Sequence, residues 1–434
     1  MRNLVIAFLC VCFSAATSMG QRATVIHCGE LLAVPGEDPV SRVSVVVRDG
    51  RIESVQRGYI DASSIAPDAE LVDLSDAFVM PGLFDCHTHI TGQLSRDVRL
   101  RRVVETDADS AINGVIYARL TLMAGFTTIR NVGSSGDAAF ALRDAIAAGK
   151  VPGPRILVAG ESISPTGGHS DGTLGYREGL LPEPAAMEGI GDGVPGVRRA
   201  VRAQVKRGAD LIKLTATGGV LSNTAAGVEQ QLFDDELAAI VLTARLLGRK
   251  VAAHAHGATG INAALRAGVD SIEHGTYLDD ESIRLFNETG AYLVPTIHAG
   301  EFVAAKAGED GYFPPPVRHK AATVGPIIKA SAGRAYRGGV KIAFGTDVGV
   351  GEHGTNADEF IFMNEAGIPP MACLASATVV AAELCGLSEQ LGTVEAGKLA
   401  DIIAVPSSPL ENIAAMRDVS FVMKGGRVFK HGAE

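Results

Sequence analysis

The chain of 434 residues is 47% apolar and 20% charged, with 51 glycines, no tryptophan and a formal charge of −10. Such a length supports a large core and excludes a small disulfide-stapled scaffold, and the apolar share excludes extended disorder. The acidic balance, without any Lys/Arg-dense run, leaves no electrostatic footprint for nucleic acid.

In chain order, residues 1–20 come first. Arg2 precedes an apolar run over residues 4–13, and the small residues of SAATSMG follow, the pattern of a secretory signal peptide. The run is too short for a membrane span, which needs roughly 20 apolar residues. Export to a periplasm or out of the cell is therefore expected. Of six cysteines, Cys10 and Cys12 fall in this leader, and the scattered Cys28, Cys86, Cys373 and Cys385 make no disulfide framework.

Residues 21–81 read as short strands and turns: ATVIHCG, then SVVVRDGRIESVQRG with a hairpin turn at Asp49-Gly50, then AELVDLSDAFVM. From Gly82 onward, apolar runs alternate with segments of helical period. Strands are expected at 84–89, 127–132, 155–159, 211–215, 250–255, 271–274, 292–297 and 341–347. The stretches between them, such as DAAFALRDAIAAG and DDELAAIVLTARLLG, open with Asp and close at Gly as capped helices do. Eight such alternations imply an α/β fold of the (β/α)8 TIM-barrel kind over residues 82–390. Strand patterning returns in GTVEAGKLADIIAVPSS and VSFVMKGGRVFKHG, so residues 391–434 are expected to form a small β-sandwich with 21–81.

Chemistry gathers at the strand ends. In FDCHTHI, His87 and His89 are two residues apart on a strand and share a face, which in a first barrel strand is the interior. Two neighbouring imidazoles repel when protonated and waste hydrogen bonds when neutral, and a divalent metal resolves both problems. Lys213 stands inside the apolar run LIKLTA, where burial without a partner is costly or forces deprotonation. VAAHAHG, SIEHG and IAFGTDVG add His254, His274 and Asp347. Singly, each reads as a satisfied core histidine or a helix-capping aspartate. Jointly, in register with the C-terminal ends of barrel strands, they read as a metal centre. His256 is expected to face away from His254 and is set aside as a packing residue. SISPTGGHSDG, after the third strand, offers His169 for binding substrate or a polarised carbonyl oxygen. His298 and Arg318 are further candidates at the mouth, Arg being suited to a substrate carboxylate.

Taken together, PGLFDCHTHI, IKLTATGG, AHAHG, SIEHG, FGTDVG and GTVEAGKLADIIAV resemble the metal-dependent amidohydrolase superfamily over nearly the whole chain past the leader. Lys213 on strand four is similar to the lysine of the binuclear type. The resemblance thus implies two divalent ions bridged by N6-carboxylysine at Lys213. His87, His89 and Asp347 would hold one ion, His254 and His274 the other. It also implies Asp347 as general base. Zinc suits the mixed N and O ligands; manganese, cobalt and iron are compatible. Imidazolonepropionases and deaminases of the superfamily use one metal and lack the lysine. The chain therefore looks like the imidazolonepropionase-related group of Xaa-Pro and Xaa-Arg/Lys dipeptidases and N-acyl amino acid amidases, whose exported dipeptidases have a segment similar to TGGH. What this implies is a hydrolase cleaving the amide of a dipeptide or N-acyl amino acid that carries a free carboxylate. Alternatives are a cyclic amide or lactone substrate, a Schiff base at Lys213, and a catalytically inactive scaffold, which the complete ligand set argues against. The expected partner is a small molecule or dipeptide, with no nucleic acid and no membrane span. Homo-oligomer formation is left open.

Overall fold

The computed structural model describes residues 23–432, so the leader expected over 1–20 lies outside the described residues. β1 (Thr24–Leu31), β2 (Val40–Arg48), β3 (Arg51–Arg57) and β4 (Glu70–Pro81) come first. Asp49 and Gly50 join β2 to β3 with φ of 50° and 77°. Positive φ at both turn positions gives the hairpin a twist matching that of its strands.

Eight strands follow, each separated from the next by helix: β5 (Leu83–Thr88), β6 (Phe126–Asn131), β7 (Arg155–Val158), β8 (Ile212–Thr215), β9 (Val251–Ala255), β10 (Ser271–His274), β11 (Tyr292–Val294) and β12 (Lys341–Ile342). β5, β6, β8, β9, β10 and β11 are buried along their whole length. Helices covering both faces of a parallel sheet have this effect, and it explains why these segments read as unbroken apolar runs rather than alternating ones.

The eight strands pair in parallel as two sheets, β5-β6-β7 and β12-β11-β10-β9-β8. Isolated parallel bridges link the sheets at Ile163 with Leu214 and at Thr88 with Val348. The ladder is therefore interrupted at two places instead of running unbroken. Two of the expected strands are shorter than their apolar runs, with three residues in β11 and two in β12. Thr296 stops the first by entering the left-handed region at φ 54°, where helix Ile297–Ala307 begins. After β12, Phe344 N turns aside to bond Ser376 O at 3.0 Å.

β13 (Ile402–Val405), β14 (Phe421–Lys424) and β15 (Arg427–His431) complete the chain's strands. They join the N-terminal strands in one mixed seven-stranded sheet of order β15-β14-β13-β4-β1-β2-β3. Sequence patterning suggests a sandwich for these segments. All seven strands of these terminal segments fall in this one sheet. β13 runs antiparallel along the end of β4, with Ile402 opposite Pro81 and Val405 opposite Phe78. Gly82 alone separates β4 from β5, and a Cβ there would collide with the Thr127 side chain, so the turn into the parallel layer requires glycine. The four described cysteines are free thiols. No helix of the described residues is long and apolar enough to cross a membrane.

Candidate functional site

The C-terminal ends of β5, β8, β9 and β10, with the segment after β12, surround one cavity of about 190 Å³. Parallel α/β folds bind their ligands at this end of the strands. His87, His89, Lys213, His254, His274 and Asp347 all line it.

The hydrogen bonds behind the first pair of histidines fix their roles. His87 Nδ1 lies 2.7 Å from Glu273 Oε2, and His89 Nδ1 lies 2.7 Å from the Gly133 carbonyl. Both partners are acceptors, so each Nδ1 donates and each Nε2 keeps a free lone pair. Those lone pairs face Asp347, whose Oδ1 is 3.6 Å from His87 Nε2 and 3.3 Å from His89 Nε2. This carboxylate oxygen is buried without a hydrogen bond. Three acceptor atoms converge with no proton among them, which suits a cation, and the bonds at the far ring nitrogens are those that orient ligating histidines. Burial alone would raise the Asp347 carboxyl, but His87 and His89 outweigh it and hold the group below the ordinary value.

His254, His256 and His274 form a second cluster whose ligand-type atoms lie within 4.8 Å of one another. His274 Nδ1 bonds Thr296 Oγ1 and His256 Nδ1 bonds Thr276 Oγ1, each at 2.7 Å. The expectation that His256 turns away fails. Residues two apart share a face, as His87 and His89 do, and the His256 ring lies 4.7 Å from that of His254 and 4.8 Å from that of His274. Lys213, on β8, lines the same cavity, and burial lowers its ammonium to about 8. Among the described residues, no hydrogen bond or ion pair reaches its Nζ.

His169 also lines the cavity. Its ring stacks on His254 at 4.2 Å, its Nδ1 lies 2.6 Å from Ser222 Oγ, and it rests flat on Gly219, where a Cβ would strike it. Burial, followed by the nearby Lys213, lowers this imidazole to about 4 and keeps it neutral.

Two mouth candidates fall elsewhere. His298 bonds Thr355 Oγ1 at 2.8 Å and packs behind Gly351, outside the cavity lining. Arg318, in the first turn of the Pro-started helix Pro315–Arg337, donates to Ala307 O at 2.8 Å and pairs with Asp310 at 3.2 Å. Its helix turns it back toward the preceding loop, and 46% of its side chain is exposed. Arg318→Ala is expected to leave kcat/KM within about twofold, since exposed pairs contribute little. A tenfold rise in KM would return Arg318 to the substrate site.

Sequence reasoning passed over Glu273. Its carboxylate bonds His87 and also accepts from Arg130 at 2.8 Å and Ser271 Oγ at 2.5 Å, all fully buried. Burial would raise this carboxyl, but Arg130 and the bond from His87 reverse the effect and keep it ionised. A signal was present: FTTIRN and SIEH each place one charge of opposite sign inside a buried strand. Glu273→Gln is expected to weaken metal binding by about 10–100-fold, the usual cost of losing a partner that orients a ligand. Metal retained after dialysis against a graded chelator measures this, and unchanged retention would refute it.

Backbone strain marks the same place. Of the non-glycine residues with positive φ, His274 (74°), Thr296 (54°) and Asp347 (60°) all line the cavity. Such conformations persist where the surrounding structure over-determines them, as at functional sites.

Comparison with known proteins agrees with this geometry. The model of the amidohydrolase family matches residues 78–429. Ochratoxinase of Aspergillus niger is 33% identical over 94% of this chain and 87% of its own length. The solved structure of a Xaa-Pro dipeptidase with methionine bound in its active site is 44% identical, with a TM-score of 0.90 over 94% of this chain and 100% of that one. A prolidase complexed with N-methylphosphonate-L-proline is 33% identical, with a TM-score of 0.85 over 94% and 100% of the two chains.

Proposed function

The chain belongs to the amidohydrolase family and is a hydrolase acting on C–N bonds, and from that premise we propose that it is a binuclear metallohydrolase of dipeptides or N-acyl amino acids. The observation that carries the reading is the unpaired, buried Asp347 Oδ1 facing the free Nε2 atoms of His87 and His89. These three residues would hold one ion, and His254 and His274 the other. The similar proteins named as a Xaa-Pro dipeptidase and a prolidase support a dipeptide over other amides.

Lys213 is the candidate bridge. An amine lowered to about 8 is neutral in part at ordinary pH. Its nitrogen can then attack CO₂, forming an N–C bond and releasing one proton. The product is a carbamate whose single negative charge is shared by two oxygens, in place of a cation, so the charge at this point changes sign. Bound at the two clusters, divalent ions would supply a Lewis acid and lower the pKa of a water. Asp347, held ionised, takes a proton from the attacking water and returns it to the leaving nitrogen. His169, neutral and braced by Ser222 and Gly219, is placed to bind the oxygen of the scissile carbonyl.

In this reading the two parallel sheets, linked by the Ile163 and Val348 bridges, form one (β/α)8 barrel over residues 82–390. The strands of residues 21–81 and 391–434 make its accessory β domain, and the leader over 1–20 exports it to the periplasm or medium.

A library of dipeptides and N-acyl amino acids, tested on zinc-loaded protein beside hydantoins and lactones, examines the activity. Turnover of linear amides that stops on chelation is expected. Turnover confined to the cyclic compounds would favour a cyclic amide or lactone hydrolase instead.

A further inference from the structure

The cavity lining is of two kinds: the polar group already described, its floor, and an apolar wall of Val220, Leu221, Val303, Val324, Ile328 and Val350, all but Ile328 of which belong to one apolar cluster. Four separate segments supply this wall, Val350 coming from the stretch after β12. Val303 comes from helix Ile297–Ala307, Val324 and Ile328 from one face of helix Pro315–Arg337, and Val220 and Leu221 from the loop after β8. The two helices meet through glycine. A Cβ on Gly325 would strike Gly300 O, and one on Gly300 would strike the Ile328 side chain. This close crossing lets Ile328 stand at the cavity edge.

The wall provides no counter-ion. Among the residues lining the cavity, Lys213 is the one lysine and Asp347 the one acid, both on the floor, and no arginine is present. Lys320, on the helix that supplies Val324 and Ile328, is committed to carbonyls: its Nζ donates to Gly219 O at 3.0 Å, Ser222 O at 2.9 Å and Thr224 O at 3.3 Å. A charged side chain pressed against this wall would lose its water and gain no partner.

We propose that the wall formed by Val220, Leu221, Val303, Val324, Ile328 and Val350 is a specificity subsite for a neutral aliphatic side chain on one amino-acid unit flanking the scissile amide, and that it rejects charged ones. The inference rests on the amide-hydrolase reading. It goes further by assigning the substrate class to residues that play no part in the metal chemistry.

The test uses the full, zinc-loaded chain and two dipeptide series, Leu-Ala, Asp-Ala and Lys-Ala against Ala-Leu, Ala-Asp and Ala-Lys. At one of the two positions, kcat/KM for leucine is expected to exceed that for aspartate and lysine by about 100-fold or more. Comparable values for charged and neutral residues at both positions would overturn the subsite. Ile328→Ala supplies a second arm. The ratio of kcat/KM for phenylalanine over leucine at the selective position should rise by at least about tenfold, since a few methylene volumes carry that much discrimination. An unchanged ratio in a folded, metal-replete variant would remove Ile328 from the subsite. Failure of the wild-type protein to cleave any linear amide would refute the linear-amide reading itself and leave these ratios undefined, so the two failures are distinguishable.

Discussion

Lys213→Ala is expected to abolish turnover and to purify with far less metal than the parent protein. The side chain is buried in the cavity that the two histidine clusters line, without a hydrogen bond or ion pair of its own among the described residues. As an ammonium it would repel the cations placed there. As a carbamate it would supply two of their ligand oxygens. Removing even an outer partner of a metal ligand costs about 10–100-fold in affinity, so loss of a shared ligand should cost more than that. The deletion leaves a space the size of the lost chain, and a short carboxylate such as formate, acetate or propionate can enter it. Partial return of activity with such an acid, or with bicarbonate, is the signature that separates bridging from mere structural support. An active, metal-replete alanine variant would refute the bridging role. Trapping of a substrate adduct on Lys213 by borohydride would instead assign it Schiff-base chemistry.

Asp347→Asn should lower kcat by about 10³- to 10⁴-fold, near the upper range for removal of a general acid–base group. The substitution is nearly isosteric, so the fold should persist, as circular dichroism and melting would show. Asparagine cannot accept and return a proton at Oδ1. The loss should therefore appear in kcat more than in KM, because the group acts on the proton of the attacking water and not on substrate affinity. Turnover within tenfold of the parent would remove Asp347 as the proton shuttle.

Much of this was legible in the sequence because of how the strands are buried. β5, β6 and β8 through β11 are buried along their whole length, so their apolar runs are unbroken, and a charged or imidazole side chain at a run's end stands out against them. Strand length was less legible. Thr296 and Asp347 adopt positive φ, which no propensity announces for a threonine or an aspartate, and the runs at 292–297 and 341–347 extend past the point where the ladder stops. Patterning of the terminal segments identified strands correctly but said nothing about how many sheets they form, since a half-buried strand alternates in the same way whether its cover is another sheet or a layer of helices. Arg318 and His298 were chosen by nearness in sequence to the mouth. Their helix phases decide against them, and phase within a loop-to-helix junction is set by tertiary packing. Glu273 was hidden by its neighbour. In SIEHG the histidine attracts attention, while the carboxylate before it is the group that aims His87.

The seven-stranded sheet bears on how the protein is made. β4 leads directly into β5 through Gly82, and the side of β4 away from β1 is closed by β13, from the far end of the chain. During synthesis, β4, which leads into the strand that carries His87, keeps an open edge until residues 402–405 have emerged. Unpaired edges recruit other strands, and pairings so distant in sequence form slowly. Completion of the sheet that leads into the site is thus tied to the last segments translated.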